Sequence, residues 1–216
     1  MKYKGVIFDL DGTLVNSIDD LADSMNSVLQ QNNFPTHGID AYKLFVGNGV
    51  KKLVVRALPE GHRDEATVAK CFDMMTEIYG RNCTAKSKPY DGICDLLDEL
   101  TKRGMKLAVL SNKTDALTKE VVAQLFPNNP FEYVVGFTTD ELKKPNPQCA
   151  LEICHNLGFT PSDMLYVGDS GTDMQTATNA NMLAVGVLWG FRTQEELLKN
   201  GAKQLIKHPT DLIQLL

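Results

Sequence analysis

At 216 residues, with 43% hydrophobic and 23% charged side chains, the chain has the make-up of a soluble globular protein, long enough for one large domain or a domain carrying an insertion. Its net charge of -5 argues against a nucleic-acid partner, which calls for a basic face, and no apolar run approaches the roughly 18 residues that a membrane helix needs. The five cysteines (Cys71, Cys83, Cys94, Cys149, Cys154) are odd in number and lack a Cys-x-x-Cys, so they suggest neither a disulfide framework nor a zinc site and fit a reducing cytoplasm.

The first element is Val6-Ile7-Phe8, an apolar run that leads into Asp9-Leu10-Asp11-Gly12-Thr13-Leu14. The pattern predicts a buried strand ending in a polar turn. The basic start Met1-Lys2-Tyr3-Lys4 precedes only this strand, which is not a signal-peptide pattern. From Ser17 to Thr84 the spacing is helical throughout. Ile18, Leu21, Met25, Val28 and Leu29 predict a helix to about Gln31, with an acidic first turn at Asp19 and Asp20. A second helix follows Gly47-Asn48-Gly49, carrying Val50, Leu53, Val54 and Leu58, and a third covers about 63–79.

From Ser87 the chain alternates between helix and strand. Helices are expected at about 93–103, from 113 to 125, at 146–157 and at 172–179, and strands at 106–110, 133–137, 164–167 and 183–188. Such alternation predicts an α/β fold with a doubly wound parallel sheet, whose ligand site lies at the carboxyl ends of the strands. Asp9, Ser111 and Asp169 each fall at such an end, and Lys144 falls in the loop after the 133–137 strand. These side chains are therefore expected to converge on one edge of the sheet.

In a strand, residues i and i+2 share a face, so a strand persisting past Asp9 would point Asp9 and Asp11 into one site. Two carboxylates about 4 Å apart repel by roughly 4 kcal/mol at an effective dielectric near 20. A divalent cation, a buried lysine or a bound proton must offset that repulsion. Gly12 allows the backbone to turn with positive φ or to approach a ligand closely.

Asp9-Leu10-Asp11-Gly12-Thr13, Ser111, Lys144-Pro145 and Gly168-Asp169-Ser170-Gly171-Thr172-Asp173 occur in one order along the chain. Together they resemble the four motifs of the haloacid dehalogenase superfamily in its phosphatase branch. The resemblance implies a Rossmann-like core at residues 1–14 and 88–216 and an inserted all-helical cap, of the type called C1, at 15–87. It also implies that Asp9 is a nucleophile forming an aspartyl-phosphate, and that Asp11 protonates the leaving group and then activates water. Ser111 and the backbone N–H of Asn112 would hold phosphoryl oxygens beside Gly12, with Lys144 adding positive charge.

The implied cofactor is Mg2+, held by the Asp9 carboxylate, the Asp11 carbonyl and the Asp169 carboxylate. Asp173 either faces that site, through a water or as a partner of Lys144, or is an ordinary acid at a helix start. Lys113 and Lys143 read as solvated neighbours. In the cap, Phe45-Val46-Gly47-Asn48-Gly49-Val50 and Arg56 resemble phosphoglycolate phosphatases. There Gly47, Asn48 and Gly49 would offer backbone N–H groups to a substrate carboxylate and Arg56 would pair with it, unless Arg56 is merely a solvated helix residue.

The expectation is a cytoplasmic, magnesium-dependent phosphatase, monomer or homodimer, that acts on a small phosphorylated metabolite, with 2-phosphoglycolate first. A phosphatase for pyrophosphate, nucleoside monophosphates or sugar phosphates, a β-phosphoglucomutase-like enzyme and a non-catalytic binding module are the alternatives.

Overall fold

The computed structural model describes residues 2–216. Residues 2–16 and 89–216 form one compact unit, and residues 17–88 form a second. In chain order the elements are β1 (Gly5–Phe8), α1 (Ile18–Gln31), α2 (Ile39–Phe45), α3 (Val50–Ala57), α4 (Glu65–Asn82), α5 (Ile93–Lys102), β2 (Lys106–Thr114) and α6 (Asp115–Leu125). They continue with β3 (Phe131–Phe137), α7 (Gln148–Leu157), β4 (Met164–Gly168), α8 (Gly171–Asn179), β5 (Leu183–Val187), α9 (Gln194–Lys199) and β6 (Gln204–Ile206). Two-residue extended segments lie at Val15–Asn16 and Lys88–Pro89.

In the first unit the six strands form one sheet of order β3-β2-β1-β4-β5-β6, parallel throughout. That is the doubly wound α/β fold expected from the alternation of elements. The chain starts at the centre of the sheet: β1 pairs with β2 through Gly5↔Lys106 to Phe8↔Val109, and with β4 through Gly5↔Met164 to Phe8↔Val167. All four β1 residues are buried, as a strand covered on both faces requires. Beneath one face, Ile7, Ala108, Ile153, Tyr166, Met174 and Leu197 belong to a single apolar core.

Two local features differ from the sequence expectation. The strand expected at 106–110 continues to Thr114, and its pairing with β3 jumps from Leu110↔Val135 to Thr114↔Phe137. Four residues on β2 thus advance against two on β3, which tips 111–113 out of regular pairing. The second difference is α2, a seven-residue helix with Tyr42 as its buried residue. One inward side chain in two turns gives too little periodicity to be detected.

In the second unit, α1 buries Leu21, Met25, Val28 and Leu29, and α4 buries Val68, Cys71, Met75 and Tyr79. The Asp64 carboxylate caps α4 by accepting from the Thr67 amide. Asp20, buried on α1, accepts from the backbone N–H groups of Lys86 and Ser87 and from the Ser87 hydroxyl, at 2.7–3.0 Å. This carboxylate ties the end of the unit's chain to its first helix.

Candidate active site

β1 ends at Phe8, so the i, i+2 strand argument for Asp9 and Asp11 does not apply; both lie in the turn that follows. The Asp9 amide still donates to Val167 O at 2.9 Å, and the turn closes with Gly12 N to Val15 O at 2.9 Å. Gly12 adopts φ +88°, and a side chain there would collide with the Asp169 carboxylate. Its lack of Cβ is what lets the β1 turn pack against the β4 end.

Lys144 is the centre of the cluster. Its ammonium lies 2.7 Å from Asp9 Oδ1 and 2.7 Å from Asp173 Oδ1, and all three side chains are buried. Asn112 holds the Lys144 backbone from both sides: Nδ2 donates to Lys144 O at 3.1 Å, and the Lys144 amide donates to Oδ1 at 2.8 Å. The Asn112 side chain thereby fixes the loop that presents the lysine. Asp173 combines the two readings open to it. Its Oδ2 accepts from Ser170 N at 3.0 Å and Ser170 Oγ at 2.6 Å in a capping box that starts α8, while Oδ1 takes the Lys144 ion pair.

Asp169, at the carboxyl end of β4, accepts from the Phe191 amide at 2.7 Å. The loop after β5 is a wall of this site that sequence reasoning missed. Trp189 Nε1 donates to Thr13 O at 3.0 Å, and a side chain at position 190 would strike Asp169 and Gly12. Trp189-Gly190 lies one residue beyond the end of β5, so the strand-end rule applied to Ser111 and Asp169 pointed to this loop as well.

The electrostatics match the geometry. Burial, then Asp173, pushes the Asp9 carboxyl up to about 7, against the opposing pull of Lys144. Burial, Asp173 and Asp9 likewise hold Asp169 well above the usual carboxylate range. Burial alone would depress the Lys144 ammonium, but Asp173 and Asp9 overcome it and raise it well above the ordinary value. Oxygens of Asp9, Asp169 and Asp173 lie within 4.8 Å of one another. A buried, all-oxygen donor set whose negative charge is only partly balanced fits a hard divalent cation such as magnesium.

Ser111 is buried on β2, and its Oγ accepts from the Lys113 amide at 3.2 Å. Lys113 corrects the sequence expectation. Instead of being solvated, its side chain is 2% exposed and its ammonium lies 2.9 Å from Asp11 Oδ1. Lys143 is also largely covered, pairing with Asp140 and lying over the Phe137 ring.

The cap residues belong to the second unit. Gly47 and Gly49 adopt φ +107° and +85°, which suits glycine and shapes the turn into α3. The Arg56 guanidinium donates to Phe45 O at 3.0 Å and Asn48 Oδ1 at 2.8 Å, so it braces its own loop. Arg56→Ala is expected to destabilise the protein by about 1–3 kcal/mol and to raise KM for carboxylated and non-carboxylated phosphate esters alike, with a lowered denaturant midpoint. A rise in KM confined to carboxylated esters would assign Arg56 to the substrate instead.

The arrangement is an α/β fold whose parallel sheet carries buried acids and a buried lysine toward its carboxyl edge. The sequence profile of the haloacid dehalogenase-like hydrolases matches residues 6–187, and the chain belongs to that family. It is 34% identical to a phosphoglycolate phosphatase of Pseudomonas putida over 190 residues, 86% of this chain and 70% of that protein. It is 30% identical to a phosphoglycolate phosphatase of Aquifex aeolicus over 211 residues, 98% of this chain and 95% of that protein. A crystal structure of a Lactobacillus delbrueckii subsp. bulgaricus protein, 31% identical, superposes with a TM-score of 0.93 and covers 100% of this chain and 98% of that one. Among the described residues, no helix is long and apolar enough to cross a membrane.

Proposed function

We propose that the protein is a magnesium-dependent phosphatase that hydrolyses a small phosphate monoester through an aspartyl-phosphate, with 2-phosphoglycolate as its substrate. The observation that carries the chemistry is the buried Lys144 ammonium shared by Asp9 and Asp173, with Asp169 alongside. Support for the substrate comes from the names of the relatives and from the turn at Gly47-Asn48-Gly49.

In this reading an Asp9 oxygen attacks phosphorus as the ester P–O bond breaks, and the departing alkoxide takes a proton from Asp11. A water then gives a proton to Asp11 and attacks the phosphorus of the aspartyl-phosphate, releasing inorganic phosphate and restoring Asp9. Lys144, with Ser111 Oγ and the Asn112 amide, holds the phosphoryl oxygens and offsets their charge. Bound at Asp9, Asp169 and the Asp11 carbonyl, magnesium would supply further charge neutralisation between phosphate and nucleophile. Asp173 keeps the Lys144 ammonium aimed at Asp9.

The test is phosphate release from 2-phosphoglycolate, pyrophosphate, nucleoside monophosphates and sugar phosphates, with magnesium and with chelator. Magnesium-dependent release strongest with 2-phosphoglycolate is the expected result. Equal rates across the panel would leave the chemistry and remove the substrate assignment. Conversion of one sugar phosphate to another without free phosphate would make the enzyme a mutase.

A further inference from the structure

We infer that Lys113 is a positioning residue for catalysis, which acts by holding the Asp11 carboxylate in place. The inference rests on the proposed role of Asp11 as proton donor to the leaving group. The irregular pairing between Leu110 and Thr114 removes 111–113 from the ordinary alternation of a strand, and all three of these side chains are buried, Ser111, Asn112 and Lys113 alike. Irregularities of this kind near a site re-aim side chains.

The backbone of Lys113 is fixed on both sides, its amide donating to Ser111 Oγ at 3.2 Å and its carbonyl accepting from Thr118 Oγ1 at 3.3 Å. Its ammonium reaches Asp11 Oδ1 at 2.9 Å, across 102 positions of sequence, with the lysine side chain 2% and the aspartate side chain 14% exposed. A buried ammonium loses its hydration, and surface packing alone gives it no reason to be there. The contact ties the bulge of β2 to the turn after β1. It also leaves Lys144 to Asp9 and Asp173, so each ammonium serves a different acid. A proton donor must be held within hydrogen-bond reach of the atom it protonates; the bridge to Val15 holds the Asp11 backbone, and the Lys113 ammonium holds its carboxylate.

The experiment compares phenyl phosphate with p-nitrophenyl phosphate in wild type, Lys113→Met, Asp11→Asn and the double variant, with Lys113→Gln taking the place of Lys113→Met should the latter fail to fold. The two esters have similar shapes, but phenolate is the more basic leaving group and needs the proton more. The readout is the ratio of their kcat/KM values, which reports steps up to formation of the phosphoenzyme. The expected result is a fall of about tenfold or more in the phenyl to p-nitrophenyl ratio in both single variants. In the double variant, changing Lys113 should add no further fall beyond Asp11→Asn.

A general structural defect would lower both esters equally and leave the ratio unchanged. If Asp11→Asn lowers the ratio and the Lys113 variant does not, the positioning role is overturned while the Asp11 assignment stands. If Asp11→Asn leaves the ratio unchanged, the acid assignment falls and the Lys113 inference falls with it. A further fall in the double variant would show that Lys113 acts by a route other than Asp11, which also overturns the inference.

Discussion

Asp9→Asn is expected to lower turnover by at least about 10³-fold on every phosphate ester, while the variant melts at the same or a higher temperature than the wild type in chelator. Loss of the nucleophile removes the covalent route. The stability half follows from the charges around it. Asp9 is buried with Asp173 and Asp169 close by, and burial together with Asp173 already pushes its carboxyl up to about 7. The ionised carboxylate is therefore held in place against its surroundings. An amide of nearly the same shape keeps an oxygen to accept from Lys144 and drops the charge, so the ion pair between Lys144 and Asp173, 2.7 Å long, remains without a competitor. A site built for reactivity stores this kind of local cost, and stabilising changes there come with lost function. Kinetics on the panel and paired thermal melts test both halves. Turnover within tenfold of the wild type would move the nucleophile elsewhere, and a marked fall in melting temperature would mean that Asp9 is a net stabiliser of the fold.

Much of this site could be read without coordinates because its residues sit where a parallel sheet must end. Val6-Ile7-Phe8 is apolar without alternation, as a strand buried on both faces should be; Asp9 and Asp169 follow strands by position alone, and Ser111 lies where the regular pairing of β2 breaks. What sequence could not supply depends on long-range packing. The motif resemblance singles out Lys144, and the two-sided grip of Asn112 holds its backbone in place. Nothing in the letters separates Lys113 from Lys143, and the place of Lys113 under Asp11 is decided by a bulge in β2. The same holds for Arg56, whose bonds to Phe45 O and Asn48 Oδ1 arise from how the preceding loop folds back. Asp173 illustrates why two readings of one residue need not compete. An acid three residues after Ser170 completes a capping box with one oxygen and meets Lys144 with the other. The repulsion expected between Asp9 and Asp11 is met by separate lysines, one for each acid.

In chelator, the protein is expected to lose stability steadily as pH rises from about 4 to about 7, and magnesium is expected to reverse part of that loss. The sign follows from the direction of the shift. The Asp9 carboxyl is pushed up to about 7 in the folded protein from an ordinary value of 3.8, and Asp169 moves in the same direction. Between those limits the folded state holds a proton that the unfolded state has released, so each step up in pH favours unfolding. The stabilising contribution is complete below the unfolded value and gone above the folded one. For Asp9 alone the window corresponds to a loss on the order of 4 kcal/mol. A divalent cation binds the ionised carboxylates and adds about 2.7 kcal/mol at one hundred times its dissociation constant, roughly 5–10 °C in a chain of this size. The magnesium-induced rise in melting temperature should therefore be small at pH 5 and large at pH 8. Asp9→Asn should make the chelator profile shallower and shrink the magnesium response together, since the Asp9 carboxylate contributes to both. Thermal melts at pH 5, 6, 7 and 8, with chelator and with magnesium, measure all of this. A chelator profile that rises with pH across the same range, or a magnesium shift independent of pH, would show that the buried carboxylates are not the groups that bind the cation.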